Sequence, residues 1–226
     1  MTTNTVNQRI FAAWYPGFMS RVERSGQAAI RAEQLSHAHG RTLEIGAGNG
    51  LSISHYPDDL EELVLLEPNP RLRARLAART DGPGVPTTVC DGDAHALDFP
   101  DSSFDTVTAS LVFCSVTDPA RALAEVHRVL RPGGLFLFHE HVRGTGARGF
   151  LQDLLNPLQQ LLADGCHANR DFVGELRASA LHVDEISHLR MPTAMPTIVP
   201  LVIGSARRVS EDERTQTRQM AESQSI

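Results

Sequence analysis

Short, largely apolar runs recur through the middle of the chain, at 41–45, 63–67, 87–90, 104–110 and 135–139. Runs of this kind suit parallel strands covered on both faces. Helical periodicity separates them. One segment, 71–79, is entered from Pro70. A clearer one spans 118–130, where Asp118 is placed to cap, Pro119 suits the first turn, and Leu123, Val126 and Leu130 share a face. Arg131-Pro-Gly-Gly ends it. Alternating strand and helix predict βαβ units in a parallel sheet. Upstream, Phe11, Trp14, Phe18, Val22, Ala28, Ala29, Ala32 and Leu35 fall at mixed helical spacing, which predicts two helices broken near Pro16-Gly17. Downstream, Leu151, Leu154, Leu155, Leu158, Leu161 and Leu162 form an amphipathic stripe that Pro157 should kink or split. A helix is expected over 171–180, and last strands over 181–189 and 197–205. The tail from 207 is polar and reads as frayed or disordered.

Composition narrows the class. With 226 residues, 41% hydrophobic and 21% charged, the chain can bury a core without disulfides or a structural metal. A net charge of -6 offers no basic footprint for nucleic acid. Cys90, Cys114 and Cys166 are scattered, with no C-x-x-C pair, so they read as reduced thiols and not as a disulfide framework or zinc site. No signal peptide or membrane-length apolar run is evident, and the expected location is cytoplasmic.

Chemistry enters at Glu44-Ile-Gly-Ala-Gly-Asn-Gly, which sets Gly46, Gly48 and Gly50 directly after a strand. Glycine lets the backbone turn tightly and approach a ligand. Glu67 ends the second strand at about the distance from these glycines that ribose recognition requires. Together they favour a nucleoside. The spacing is G-x-G-x-G, not the G-x-G-x-x-G that receives a pyrophosphate. Glu44 places negative charge near the loop, which suits the amino end of S-adenosylmethionine better than NAD. Asp93, in Asp91-Gly-Asp-Ala-His, is placed to accept from an adenine amino group.

Glu44-Ile-Gly-Ala-Gly-Asn-Gly, Leu66-Glu-Pro-Asn-Pro, Gly92-Asp-Ala, Phe104-Asp-Thr-Val and Leu130-Arg-Pro-Gly-Gly, in that order, resemble class I methyltransferases of the group containing quinone-ring methyltransferases. Leu111-Val-Phe-Cys-Ser-Val, Phe138-His-Glu-His-Val and Ala163-Asp-Gly-Cys-His resemble the methyltransferase-like 7 group, whose animal members are alkyl thiol methyltransferases. Those members carry an N-terminal membrane anchor that this chain is expected to lack. The resemblance implies an α/β, Rossmann-like fold: a seven-stranded, mostly parallel sheet with helices on both faces and N-terminal helices over the cofactor site. It implies an N-terminal helical cap over 1–40, a methyltransferase domain over 41–206 and a polar tail over 207–226. The implied cofactor is S-adenosylmethionine, with S-adenosylhomocysteine as product. Glu44, Gly46 and Gly48 would hold its methionine part, Glu67 its ribose, and Asp93 with Ala94 its adenine, with Pro68 and Asn69 also among the cofactor-binding residues. Ser110 would sit beside the methyl group, and Tyr15 would close over the cofactor.

The implied acceptor is a small, largely apolar molecule, with a thiol favoured. Alternatives are an oxygen, nitrogen or carbon of a quinone or secondary metabolite, a non-catalytic cofactor-binding module, or an NAD-dependent oxidoreductase. An acceptor bearing a proton on oxygen or nitrogen calls for a general base, whereas a thiol needs less help. Candidate bases are His139, His141, Asp164 and His167, each equally open to a structural role. His139 and His141 would share one side of an extended strand. His139-Glu-His is not read as a metal site. Cys114 and Cys166 read as packing or pocket-lining residues. The leucine stripe reads as core, or with Phe150, Met191 and Met195 as the wall of an apolar acceptor pocket.

Overall fold

The structure, a computed structural model, describes residues 5–80, 84–162, 165–190 and 200–210. Asp164, Met191, Met195 and most of the polar tail lie outside them. Seven strands form one sheet: β1 (Arg41–Ile45), β2 (Glu62–Leu66), β3 (Thr87–Cys90), β4 (Phe104–Ser110), β5 (Leu130–His141), β6 (His182–Arg190) and β7 (Pro200–Arg207). Their order is β3-β2-β1-β4-β5-β7-β6. The first five are parallel, and β7 runs antiparallel to both its neighbours. All five strands expected up to residue 139 are present. The fifth begins earlier than its apolar run, with a register shift that takes up Arg131-Pro-Gly-Gly.

Strand alternation sends side chains to two faces. On β2, Val64 and Leu66 join a cluster with Leu123, Val126, Phe136, Phe138 and Phe172, while Leu63 and Leu65 pack with Leu35, Tyr56, Leu76 and Leu137. The first cluster is apolar and rich in aromatic rings. The second face carries a buried polar layer: Thr42, Glu44, Thr106, Thr108, Gln27 and Arg31 are all hidden from solvent. Such groups are tolerated because they pair. The Tyr56 hydroxyl lies 2.6 Å from Thr108 Oγ1, and Arg31 donates to Ser52 Oγ and to Glu23 Oε1.

The helices are α1 (Thr5–Val22), α2 (Ala28–Leu35), α3 (Pro70–Ala77), α4 (Pro119–Val129), α5 (Ala147–Leu162) and α6 (Phe172–Ala178). Asn69, Asp118 and Asp171 cap α3, α4 and α6 through side-chain acceptors. The N-terminal break does not fall at Pro16-Gly17. Helix α1 runs through both, and the chain turns at Gly26, whose φ of 118° only glycine adopts readily. Pro157 likewise does not split α5.

The leucine stripe also departs from expectation. Leu151, Leu154, Leu155 and Leu158, with Phe150, are exposed, as are Trp14 and Phe18 on α1. Helix α5 docks through its other side, by the buried Gln152. That amide accepts from Gly144 N at 2.6 Å and donates to the carbonyls of Val142 and Ala168. A polar anchor replaces the apolar face in fixing this helix. No helix among the described residues is long and apolar enough to cross a membrane.

Candidate active site

A cavity of about 520 Å³ opens where β1, β2, β3 and β4 end, the edge at which open α/β sheets bind ligands. Its size falls within the range of small-molecule sites. Ile45, Gly46 and Gly48 form its floor; Leu66, Glu67, Pro68 and Asn69 one wall; Asp93 and Ala94 another; Leu111, Val112, Ser115 and Val116 a third. Phe11 and Tyr15 from α1 close it.

The glycine loop is shaped by close approach. Gly46 and Gly48 have φ of 68° and 59°, and a Cβ on Gly46 would stand 2.6 Å from Val112 Cγ2. A Cβ on Gly48 would stand 3.8 Å from Cε1 of the Tyr15 ring. The carboxylate of Glu67 turns toward this bend: its Oε2 accepts from Gly48 N at 2.7 Å and its Oε1 from Asn69 N at 2.8 Å. Asn69 spends its Oδ1 on the N-terminus of α3, and its buried Nδ2 has no partner among the described residues. A carboxylate and an amide donor thus flank the loop.

Asp93 is held by His95. The backbone N–H of Asp118 donates to His95 Nε2 at 3.1 Å, so Nδ1 carries the proton, and it donates to Asp93 Oδ1. Burial opposes ionisation of Asp93, but the His95 hydrogen bonds outweigh it and hold the carboxyl below its ordinary range. His95, absent from the expected set, ties the β3 turn to α4.

Several expected residues stand elsewhere. Glu44 does not line the cavity. It points into the buried polar layer, bonded to Ser52 and Tyr56, and burial raises its pKa despite Arg31; its Oε2 has no partner among the described residues. Ser110 gives way to its neighbour Leu111, which lines the cavity with a left-handed φ of 60°. A non-glycine residue there is uncommon and marks a constrained turn. Glu140 fixes that turn from beneath, accepting from Val112 N at 2.8 Å and Phe113 N at 3.0 Å. Its burial pushes its pKa up to about 7 against these bonds. Isolated acids of this kind give no sequence signal, because their partners are backbone groups.

The candidate bases separate. His139 is fully buried beside Gln27 Nε2, and burial, with Arg31 and His141, pushes its pKa down to about 3. His167 N donates to Cys114 O at 2.7 Å, and its Nδ1 sits near Gln160 and Asn156. His141 Nδ1 lies 3.7 Å from Cys166 Sγ, and its buried Nε2 has no partner among the described residues. Two cysteines that look scattered in the sequence, Cys114 and Cys166, therefore meet at His141.

The match with known proteins agrees with this geometry. Residues 43–138 match the family described as Methyltransferase domain. Thiol S-methyltransferase TMT1A of Homo sapiens is 30% identical over 209 residues, covering 85% of this chain and 85% of that protein. Demethylmenaquinone methyltransferase of Deinococcus radiodurans is 29% identical over 121 residues, covering 53% of this chain and 50% of that one. Among solved structures, the Haloferax volcanii methyltransferase in complex with the Trm112 methyltransferase activator aligns with a TM-score of 0.69 at 19% identity, covering 88% of this chain and 97% of that one. The sheet order and the site define a class I methyltransferase that uses S-adenosylmethionine. Within that class, the chain belongs to the methyltransferase family that includes thiol S-methyltransferase TMT1A.

Proposed function

We propose that this enzyme moves the methyl group of S-adenosylmethionine to the sulfur of a small, largely apolar thiol. The observation that carries the reading is the extent of the likeness to thiol S-methyltransferase TMT1A, which spans 85% of the chain and so runs well past the cofactor motifs. The likeness to the quinone enzymes covers about half of it. The apolar wall of Leu111, Val112 and Val116 supports an apolar acceptor.

In this reading Glu67 and Asn69 hold the ribose, with Pro68 shaping the wall. Asp93 and Ala94 face the adenine, and Gly46 and Gly48 admit the methionine chain. Tyr15 stacks on Phe11 with ring centroids 4.5 Å apart and closes the site, while burial pushes its hydroxyl pKa up and keeps it neutral. Glu44, behind the loop and outside the cavity lining, acts on the methionine end only by supporting the loop. Ser110 acts only by leading into the Leu111 turn.

The cofactor supplies a methyl group already activated by its positive sulfur. What remains for the chain is to align a nucleophile in line with that carbon and to keep bulk water out. A thiol's ordinary pKa of about 8.5 leaves some thiolate at neutral pH, so no strong base is required. His139, neutral and packed on Gln27, serves the fold in this scheme.

The test is a mass-spectrometric panel of alkanethiols, phenols, amines and a demethylated quinone, each incubated with the purified chain and S-adenosylmethionine. Thioether formation is the expected result. Turnover of the phenol or quinone without the thiols would replace the reading.

A further inference from the structure

Behind the turn that follows β4, three side chains converge from segments far apart in sequence. Cys114, His141 and Cys166 each offer one ligand atom, and these atoms lie within 4.8 Å of one another. Both cysteines are buried and free. Tetrahedral zinc with bonds of about 2.3 Å to sulfur and about 2.0 Å to nitrogen sets its donors roughly 3.6–3.8 Å apart. The 3.7 Å between Cys166 Sγ and His141 Nδ1 already matches, and the remaining separations, at most 4.8 Å, have to close by no more than about 1 Å.

The three segments are tied independently of any ligand. His167 N donates to Cys114 O, Cys114 N reaches Glu140 Oε2 at 3.4 Å, and Arg143 N donates to Arg170 O. A plain thiol pair would not account for the third member. His141 Nδ1 faces Cys166 Sγ and its Nε2 has no partner among the described residues, so among them only that thiol engages the half-buried ring. Two soft sulfurs and an imidazole favour zinc over hard cations.

We propose that Cys114, His141 and Cys166 bind one zinc ion and that its fourth position takes the acceptor's sulfur. Three protein ligands with one open position is the pattern of catalytic zinc. The place is right for that role: Cys114 Sγ lies 3.6 Å from Leu111 O and 3.8 Å from Ser115 Oγ, and both residues line the cofactor cavity. On coordination the acceptor thiol loses its proton to solvent. A lone pair of the bound sulfur then forms the new S–CH3 bond as the donor's C–S bond breaks, and that electron pair stays on the donor's sulfur. The neutral thioether is a poor ligand and leaves. The zinc site stands on the side-chain cluster alone; its role rests on the thiol reading above.

The test begins with the full chain, freed of any affinity tag, and its zinc content by elemental mass spectrometry. One zinc per chain is expected. Cys114→Ser and Cys166→Ser should each weaken retention at least tenfold, while Cys90→Ser, on the far strand β3, should keep it. Circular dichroism and His141→Ala, which removes a ligand without touching a thiol, separate metal loss from misfolding. Replacement by cobalt should give a thiolate-to-metal charge-transfer band, and adding butanethiol without S-adenosylmethionine should shift the visible bands. No retained zinc and no charge-transfer band, or a Cys114–Cys166 disulfide in its place, would overturn the site. A cobalt spectrum indifferent to butanethiol would overturn its role. A thiol-responsive spectrum with no thiol turnover would instead sink the proposed function and leave the metal site standing.

Discussion

Glu67 does two jobs with one carboxylate. It accepts the N–H groups of Gly48 and Asn69 from either side, and so fixes the glycine bend against the end of β2. It also lines the cavity. Its replacement by glutamine preserves shape but turns one oxygen into a donor facing a backbone N–H. Hydrogen bonds to a charged group contribute about 1.5–3 kcal/mol, and each 1.4 kcal/mol is a factor of ten in affinity. Glu67→Gln should therefore weaken S-adenosylmethionine binding by roughly 10- to 100-fold. Titration calorimetry reads this directly, and an unchanged dissociation constant would remove Glu67 from the ribose site.

At the scale of elements, α5 is the informative case, because it docks by Gln152 and turns its leucines to solvent. Gln152→Ala would strand Gly144 N and the Val142 and Ala168 carbonyls, at about 1–3 kcal/mol for each group left buried and unpaired. Leu154→Ser should stay within about 0.5 kcal/mol, as exposed substitutions do. Urea denaturation of the two variants gives the comparison, and the reverse order would mean that the leucine face is the one that holds the helix. Asp105 provides a second joint, accepting from Arg41 N on β1 and from Arg131 where β5 begins. Burial opposes its ionisation, but these bonds prevail and hold its pKa below the ordinary value. A depressed carboxyl contributes stability that is present above its unfolded pKa and lost as pH falls through the folded one. Asp105→Asn should lower stability near neutral pH and flatten the acid limb of the pH profile below about pH 4.

These cases also show what the sequence could disclose. The glycine loop, Glu67 and the strand runs were legible because each depends on neighbours a few residues away or on a simple period. The break at Gly26 was not, since a proline inside a helix is the louder local signal and glycine's left-handed turn depends on how α2 meets the polar layer. Nor was the face on which α5 docks. A leucine stripe signals an apolar surface, not the partner that covers it. Cys114, His141 and Cys166 carry no spacing signature because three different segments supply them. Leu111 was missed by one residue: the strand's last apolar position is plain, but the left-handed turn that carries the next side chain into the cavity is imposed by Glu140 from β5.

Taken whole, the molecule has a cofactor cavity built from α1 and from the turns after β1, β2, β3 and β4, so a ligand there touches five segments. A ligand that binds only the folded chain stabilises it by about 2.7 kcal/mol at a hundredfold excess over its dissociation constant. For a domain of this size that corresponds to a rise in melting temperature of roughly 5–10 °C. The distribution of the effect is more telling than its size. Helix α1 reaches the cavity through Phe11 and Tyr15, shows Trp14 and Phe18 to solvent and is anchored by the buried Ala12, Met19 and Val22, so a ligand adds a second hold to that one. Amide exchange over α1 should slow on addition of S-adenosylmethionine by more than over α4, which is capped by Asp118 and packed on the aromatic core without contact to the cavity. Tyr15→Ala should abolish that slowing in α1 and leave the protection of the 46–50 loop in place. If α1 exchanged alike with and without ligand while the loop became protected, the helix would not be the roof of the site, and Phe11 and Tyr15 would have to be assigned to the fold instead.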